Sequence, residues 1–244
     1  RHVRCGGHEL IRGVYAAVRG PGWRTITPVI SSLVTQVSGR AFSLSFHAVC
    51  HAPPVWFEWD GAVRGTEDGT VTFSMNGIAH TTFMRNRIGF CVLHPIEGCA
   101  GEPCVIEHTD GTLEHGKFPY FIAPHQPFQH LRAITHTIDG VETRAAFEGE
   151  VFEMEDQRNW TDASFKTYGT PLELPTPVQV AAGTRLHQSV TIAVRAPRPA
   201  VDVQGARDDA VRCTPGGQTC RVPALGVCLP HDPGCMDIAA VQRL

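Results

Sequence analysis

Residues 41–46 read AFSLSF, residues 71–75 read VTFSM and residues 190–194 read VTIAV. In each stretch apolar side chains occupy every second position and small or polar side chains occupy the positions between, which is typical of a strand that buries one face. Runs of this kind recur between residues 9 and 195, and roughly a dozen or more can be counted. We therefore predict a mainly β fold made of antiparallel strands.

Turn sequences separate many of these runs. The chain has 24 Gly and 18 Pro, which leave little room for long helices. Five Asx-Gly pairs favour tight turns and predict a succession of β-hairpins. Their wide spread along the chain favours a large antiparallel β-sandwich over a small barrel. The five pairs are Asp60-Gly61, Asp68-Gly69, Asn76-Gly77, Asp110-Gly111 and Asp139-Gly140.

Composition and charge exclude several classes of protein. The 244 residues include 21 Lys+Arg and 24 Asp+Glu, a net charge of −3, and 42% are hydrophobic. This charge is too balanced for a nucleic-acid binder held by phosphate contacts, and the apolar fraction is too high for a disordered chain. No apolar run approaches the roughly 20 residues of a membrane-spanning helix, and no secretory signal is recognised. We expect a soluble, cytoplasmic globular protein with neither a nucleic-acid partner nor a membrane partner.

The nine cysteines and thirteen histidines raise the question of a metal site. No CxxC pair is present, although paired short spacings are usual in structural zinc sites. His47 and His51 are four residues apart, but in a strand this spacing separates their rings too far to share an ion. We expect reduced thiols, no metal and no cofactor. Metal binding remains the alternative at two clusters, which are Cys91, His94, Cys99 and Cys104, and Cys213, Cys220, Cys228 and Cys235.

The character of the sequence changes after residue 195. Residues 196–220 are rich in Pro, Gly and charge and predict a linker. An apolar run at 222–229 and helical spacing at 236–244 then predict the strand and helix of a first β/α unit. We expect a sandwich domain over 1–195, a linker over 196–220 and the truncated start of a β/α barrel over 221–244, so the chain is expected to be a fragment.

Two segments are rich in side chains that carry chemistry. They are RNRIGFCVLHP (85–95) and FEMEDQRNWTDASFKTY (152–168). Carboxylates, amides and guanidinium groups hold vicinal hydroxyls, and an aromatic face covers the apolar side of a sugar, so this combination suits a polyol site. The alternatives are an exposed charged strand end and ordinary salt bridges. A third segment, FPYFIAPHQPF (118–128), is expected to pack on one end of the sandwich rather than to form the rim of a binding site. The substrate-binding candidates are Arg85, Asn86, Asp156, Arg158, Asn159, Trp160, Asp162 and Tyr168.

Several longer strings resemble the N-terminal part of the D-apionate lactonase family. This resemblance implies a bacterial protein of three parts: an N-terminal β-sandwich of the galactose-mutarotase-like kind, a central (β/α)8 barrel and a C-terminal β domain. It also implies hydrolysis of D-apionolactone to D-apionate in apiose catabolism. The strings are HELIRGVYAAVR with the tryptophan that follows it (8–23), TTFMRNRIGFCVLHP (81–95), CVIEHTDG (104–111), PYFIAPHQPF (119–128) and FEMEDQRNWTDASFKTY (152–168).

Hydrolysis of a lactone needs a base that activates water and a donor that stabilises the oxyanion. We predict His94 or Glu155 as the acid/base residue and Arg87 or Lys166 as the oxyanion partner, with a small sugar lactone or polyol as ligand. Two alternatives remain. The sandwich could be a non-catalytic domain that binds sugar or braces a missing barrel, packing residues 152–168 against it. It could also be an aldose mutarotase, which needs a histidine and a glutamate facing one pocket.

Overall fold

The computed structural model describes residues 2–195, which contain eighteen strands and one short 3-10 helix, η1 (Gln157–Trp160). The prediction of a mainly β, antiparallel fold is confirmed. The predicted linker, the predicted β/α unit and the C-terminal cysteine cluster lie outside the described residues. The strands are β1 (Val3–Cys5), β2 (His8–Ile11), β3 (Gly13–Arg19), β4 (Thr25–Ile26), β5 (Val29–Ser38), β6 (Ala41–Ala52), β7 (Val55–Gly65), β8 (Thr70–Ala79), β9 (Phe83–Arg85), β10 (Arg87–Pro95), β11 (Pro103–His108), β12 (Leu113–Lys117), β13 (Leu131–Ile138), β14 (Val141–Glu148), β15 (Phe152–Asp156), β16 (Ser164–Gly169), β17 (Val178–Val180) and β18 (Arg185–Arg195).

Fourteen of these strands form one continuous antiparallel sheet. Its main path runs β4-β3-β10-β16-β15-β13-β14-β18-β8-β7-β6-β5, and β11 and β12 attach beside β13. The sheet curls until β18 lies against β10. The Gln188 side chain of β18 accepts a hydrogen bond from the Phe90 backbone N–H (2.9 Å) and donates one to the Ile88 carbonyl (3.1 Å). The two layers of the predicted sandwich are therefore parts of one curled sheet.

The apolar core lies between these layers. Phe57, Phe152 and Phe165 are fully buried there, with Met75 and Ile134. Each such side chain removed from water contributes roughly 1.5–3 kcal/mol to stability. Core packing therefore explains the alternating burial along β7 and β14, whereas Phe42 of the run at 41–46 is 40% exposed.

Gly89 makes the close approach of β10 and β18 possible. Its φ is +149°, and a Cβ at this position would lie 2.1 Å from the Gln188 Oε1 atom. Only glycine combines this backbone angle with the space that the amide occupies. The glycine therefore allows Gln188 to join the two layers.

Three of the five Asx-Gly pairs form hairpin turns, and for the other two the turn prediction is wrong. Asp60-Gly61 lies within β7 and Asn76-Gly77 within β8. A Cβ at Gly61 would lie 2.3 Å from the Phe46 ring, and one at Gly77 would lie 2.2 Å from the Phe57 ring. These glycines make room for an aromatic ring of the adjacent strand. Local sequence does not separate this role from that of a turn glycine.

None of the helical structure in the described part of the chain is long and apolar enough to cross a membrane. Within residues 2–195 the cysteines are free thiols, and no three His, Cys, Asp or Glu side chains are grouped to hold a metal ion. Burial raises the pKa of Cys99 and of Cys104 to about 12. Both thiols are therefore protonated at neutral pH and behave as small apolar groups.

Candidate functional site

One face of four neighbouring strands, β3, β10, β16 and β15, carries a group of charged side chains. Arg87 lies opposite Arg19, and Lys166 lies opposite Glu155 on one side and Leu93 on the other. Residues directly opposite each other on adjacent strands point to the same face of a sheet. Pairing therefore brings together side chains that are up to 147 positions apart in the sequence, Arg19 and Lys166 being the most distant.

These side chains line a cavity of about 530 Å³. It contains three of the four predicted catalytic residues, Arg87, Glu155 and Lys166, and the predicted sugar-stacking residue Trp160. Its size is within the range of small-molecule sites. The other lining residues, which were not predicted from the sequence, are Arg19, Trp23, Gln157 and Leu172.

Arg87 lies at the base of the cavity between two aromatic rings. Its guanidinium carbon is 3.7 Å from the centre of the Tyr168 ring and 5.0 Å from that of Trp23. The Nε atom donates to the Thr170 carbonyl at 3.1 Å, and Nη2 lies 3.8 Å from Glu153 Oε1. Burial raises the pKa of Tyr168, although the nearby Arg87 opposes the shift. The ring of the buried, neutral Tyr168 therefore packs against the Arg87 guanidinium as a cation–π partner.

Lys166 and Glu155 lie side by side on one wall of the cavity, on the paired strands β16 and β15. The Lys166 ammonium donates to Gln157 Oε1 at 3.1 Å and lies 3.9 Å from Glu155 Oε2. Burial is the largest influence on the pKa of Lys166 and lowers it, and Arg87 adds to this effect. Glu155 is oriented by the Trp160 indole N–H, which donates to its Oε1 at 2.8 Å. A carboxylate and a desolvated amine are thus fixed on the same cavity wall.

Asp156 and Arg158 hold a loop and do not line this cavity. Burial raises the pKa of Asp156, but hydrogen bonds from Arg158 and from the Ala123 backbone outweigh it, so the pKa is lowered overall. Arg158 also donates to three successive carbonyls, those of residues 119–121. Asn159 donates to the Ala123 carbonyl. These residues, predicted to bind substrate, instead bind segment 118–128, of which Phe118 and Phe128 are buried and Tyr120, Phe121 and Ile122 are exposed.

Three other predicted ligand-binding residues also lie outside the cavity lining. Arg85 donates to Thr170 Oγ1 at 2.8 Å, and the buried Asn86 donates to the Pro21 carbonyl at 3.1 Å. Asp162 is exposed, with its carboxylate 3.8 Å from Arg12. Arg85 therefore holds a neighbouring side chain in place, and Asn86 holds a neighbouring backbone carbonyl.

His94 lies on the opposite face of the sheet, in the core. It is fully buried, and its Nε2 atom is 3.1 Å from Thr167 Oγ1. Burial lowers the pKa of His94 well below its usual value, and the neighbouring His136 adds to this effect. A neutral histidine sealed in the core has no access to a ligand in the cavity. The sequence prediction is corrected here, and His94 is left out of the proposed site.

A second groove, of about 490 Å³, lies on β6, β7, β8 and β18. Its polar side chains pair with each other: His47 with Asp60 at 2.9 Å, and His80 with Glu58 at 2.9 Å. This groove brings a histidine and a glutamate together on a surface that the sequence analysis did not single out.

Two bacterial proteins are among the solved structures that resemble the chain. One is provisionally assigned as an aldose 1-epimerase, from Escherichia coli K12, with 12% identity, 78% of this chain and 89% of that chain covered, and a TM-score of 0.44. The other is a galactose mutarotase-like protein from Lactobacillus casei ATCC 334, with 9% identity, 78% and 90% covered, and a TM-score of 0.42. Both scores are below 0.5, so the fold description rests on the strands themselves.

Two further comparisons concern the family. The D-apionate lactonase N-terminal domain family matches residues 1–197. The D-apionate lactonase of Brucella anthropi is 38% identical over 246 aligned residues, which cover 100% of this chain and 40% of that protein. The chain therefore spans about 40% of the length of this curated relative. By the match over residues 1–197, the chain belongs to the D-apionate lactonase family and contains its N-terminal domain.

Proposed function

We propose that the chain is the N-terminal part of a bacterial, cytoplasmic enzyme that hydrolyses D-apionolactone to D-apionate. The cavity under Trp23 and Trp160 is its proposed lactone-binding site. The observation that carries this proposal is the placement of Glu155, Lys166 and Arg87 on one cavity wall. The domain boundaries at residues 195 and 220 stay predictions.

The geometry suits a water-mediated opening of the lactone ring. Glu155 accepts a proton from a water molecule as the water oxygen attacks the lactone carbonyl carbon. The carbonyl oxygen becomes an oxyanion, which Lys166 and Arg87 stabilise by charge and hydrogen bonding. The ring C–O bond then breaks, and the leaving alkoxide takes the proton that Glu155 accepted. Trp23 and Trp160 cover the apolar face of the sugar.

A bracing role is the second candidate, and the exposed rim of the cavity favours it. Trp160 is 70% exposed and Leu172 is 44% exposed, and both line the cavity. Large apolar side chains exposed together are typical of a surface that packs against another domain. In this case the cavity rim would contact the rest of the longer protein, whose barrel would carry the chemistry.

An aldose mutarotase is the third candidate. The pairing of His80 with Glu58 in the second groove supplies the histidine and glutamate that this reaction needs. An anomer-interconversion assay with the His80→Gln variant tests it. Loss of interconversion in the variant would support this role, and the absence of interconversion in the parent chain would remove it.

Opening of D-apionolactone by the 244-residue chain and by the complete gene product distinguishes the first two candidates. We expect Glu155→Gln to lower kcat/KM of the complete protein by about 10²–10⁴-fold, because it removes the base. Asp162→Asn, an exposed carboxylate outside the cavity, serves as the matched control and should change the rate by less than about twofold. A Glu155→Gln variant with full activity would favour the bracing role.

A further inference from the structure

The cavity carries an excess of positive charge. Its lining contains three cationic side chains, Arg19, Arg87 and Lys166, and one carboxylate, Glu155. A second carboxylate, Glu153, lies close to Arg87 but also accepts a hydrogen bond from the Leu172 backbone N–H at 2.8 Å. Three cations therefore face two carboxylates. An uncharged lactone supplies no charge to balance the difference.

Two buried donors of the cavity wall have no hydrogen-bond partner within the described chain. They are Arg87 Nη2 and Gln157 Nε2. The Gln157 amide is oriented by Lys166, which binds its oxygen and leaves the NH2 group free. Because a buried donor without an acceptor costs about 1–3 kcal/mol, such a pair is typical of a site that receives oxygen atoms from a ligand.

We propose that this cavity binds the carboxylate of the open-chain sugar acid more tightly than it binds the uncharged lactone, so that the product of the reaction inhibits the enzyme. This inference rests on the proposed function for the identity of the ligand. The carboxylate oxygens accept hydrogen bonds from Arg87 Nη2 and Gln157 Nε2, and Arg19 and Lys166 balance its charge. The hydroxylated carbon chain lies against Trp23 and Trp160, which contact its C–H groups.

The same arrangement favours the reaction intermediate. Attack by the water that Glu155 deprotonates gives the tetrahedral intermediate an oxyanion that the lactone lacks. Ring opening passes the proton of Glu155 to the alkoxide and leaves a carboxylic acid, which releases its proton to solvent at neutral pH and becomes a carboxylate. The cations that stabilise the intermediate therefore also hold the product. These charge interactions are strongest at low ionic strength, so release of the sugar acid becomes a slow step there. Added salt screens the charges and weakens the interactions.

A matched pair of ligands tests this proposal on the 244-residue chain. D-apionate and D-apiitol share one carbon skeleton and differ only in carboxylate against hydroxymethyl. Quenching of Trp23 and Trp160 fluorescence follows the titration of each. We expect D-apionate to bind at least about tenfold more tightly, with an affinity that falls as salt is raised.

Two charge-removing variants complete the test. Arg19→Gln should weaken D-apionate about tenfold and D-apiitol less than about twofold. Arg64→Gln removes an exposed arginine outside the cavity and should change neither. Equal affinities for the two ligands, or no binding of D-apionate, would overturn the proposal. Hydrolysis of D-apionolactone by the complete protein is measured separately, so a failure of the proposed function is distinguished from a failure of this inference.

Discussion

Strands β10 and β16 present a charged cavity on one face and the apolar core on the other. Lys166 lies on the cavity face, whereas its chain neighbours Phe165 and Thr167 lie in the core. Arg87 and His94 belong to one strand but point to opposite faces. Because side chains alternate along a strand, residues adjacent in sequence are separated by the full thickness of the sheet. A sequence dense in functional residues therefore contributes only half of them to a given site.

The largest effect is expected on the core face. Phe165 is fully buried and packs with its ring centre 5.0 Å from that of Phe118. Phe165→Ala should lower the free energy of unfolding by about 3–5 kcal/mol, through lost burial and the cavity left behind. Urea denaturation of the chain measures this value. Trp160→Ala, on the exposed rim, is the control and should cost less than about 1 kcal/mol. Equal losses would remove the distinction between the faces.

The buried histidines should make stability depend on pH. Burial lowers the pKa of His136 to about 4, against an ordinary value of 6.5, and also lowers the pKa of His94 well below that ordinary value. Below pH 6.5 these histidines become protonated in the unfolded chain but stay neutral in the folded chain. Their contribution to stability is therefore complete above pH 6.5 and falls as the pH drops toward 4. His136 alone should account for about 3 kcal/mol of this loss.

The His136→Gln variant isolates that contribution. Urea denaturation of the parent and the variant between pH 7 and pH 4 gives two stability curves. We expect the variant curve to be flatter over this range, because one proton-binding group of the unfolded chain is gone. Parallel curves would show that His136 titrates equally in both states.

The glycines within strands should give a smaller effect. Gly61→Ala places a Cβ against the Phe46 ring and should cost about 1–3 kcal/mol from overpacking. Gly22→Ala is the control, because a Cβ there meets nothing within 4 Å. A double-mutant cycle with Phe46→Leu, read from urea denaturation, should show coupling between the two positions of about 1 kcal/mol. Additive losses of stability would show no energetic coupling between Gly61 and the Phe46 ring.

Alternation at Phe42, Leu44 and Phe46 was enough to predict the antiparallel fold, because a half-buried strand imposes a period of two. The site was predicted only in part. Arg87 and His94 are seven positions apart, an odd number, so strand parity alone places them on opposite faces. Arg19 was missed because its link to Arg87 is a strand pairing across 68 positions, and register of this kind depends on the packing of the whole sheet.

Asp156 and Arg158 show a second limit of the sequence. Their residue types suit a sugar, but they bind each other at 2.7 Å and hold segment 118–128. Composition does not distinguish a charge that binds a ligand from one that binds a loop, because both need the same hydrogen-bonding groups. Gln157, between them in the sequence, lies in the cavity.

We claim that the cavity face carries function and the core face carries stability, and two adjacent residues separate these roles. Kinetics of D-apionolactone opening and urea denaturation are measured for Lys166→Met and Thr167→Val in the complete gene product. We expect Lys166→Met to lower kcat/KM by about 10²–10³-fold with stability within about 1 kcal/mol of the parent. Thr167→Val should keep the rate within about twofold and lose about 1 kcal/mol of stability with its hydrogen bond to His94. Full activity in Lys166→Met, or loss of activity in Thr167→Val at unchanged stability, would contradict the claim.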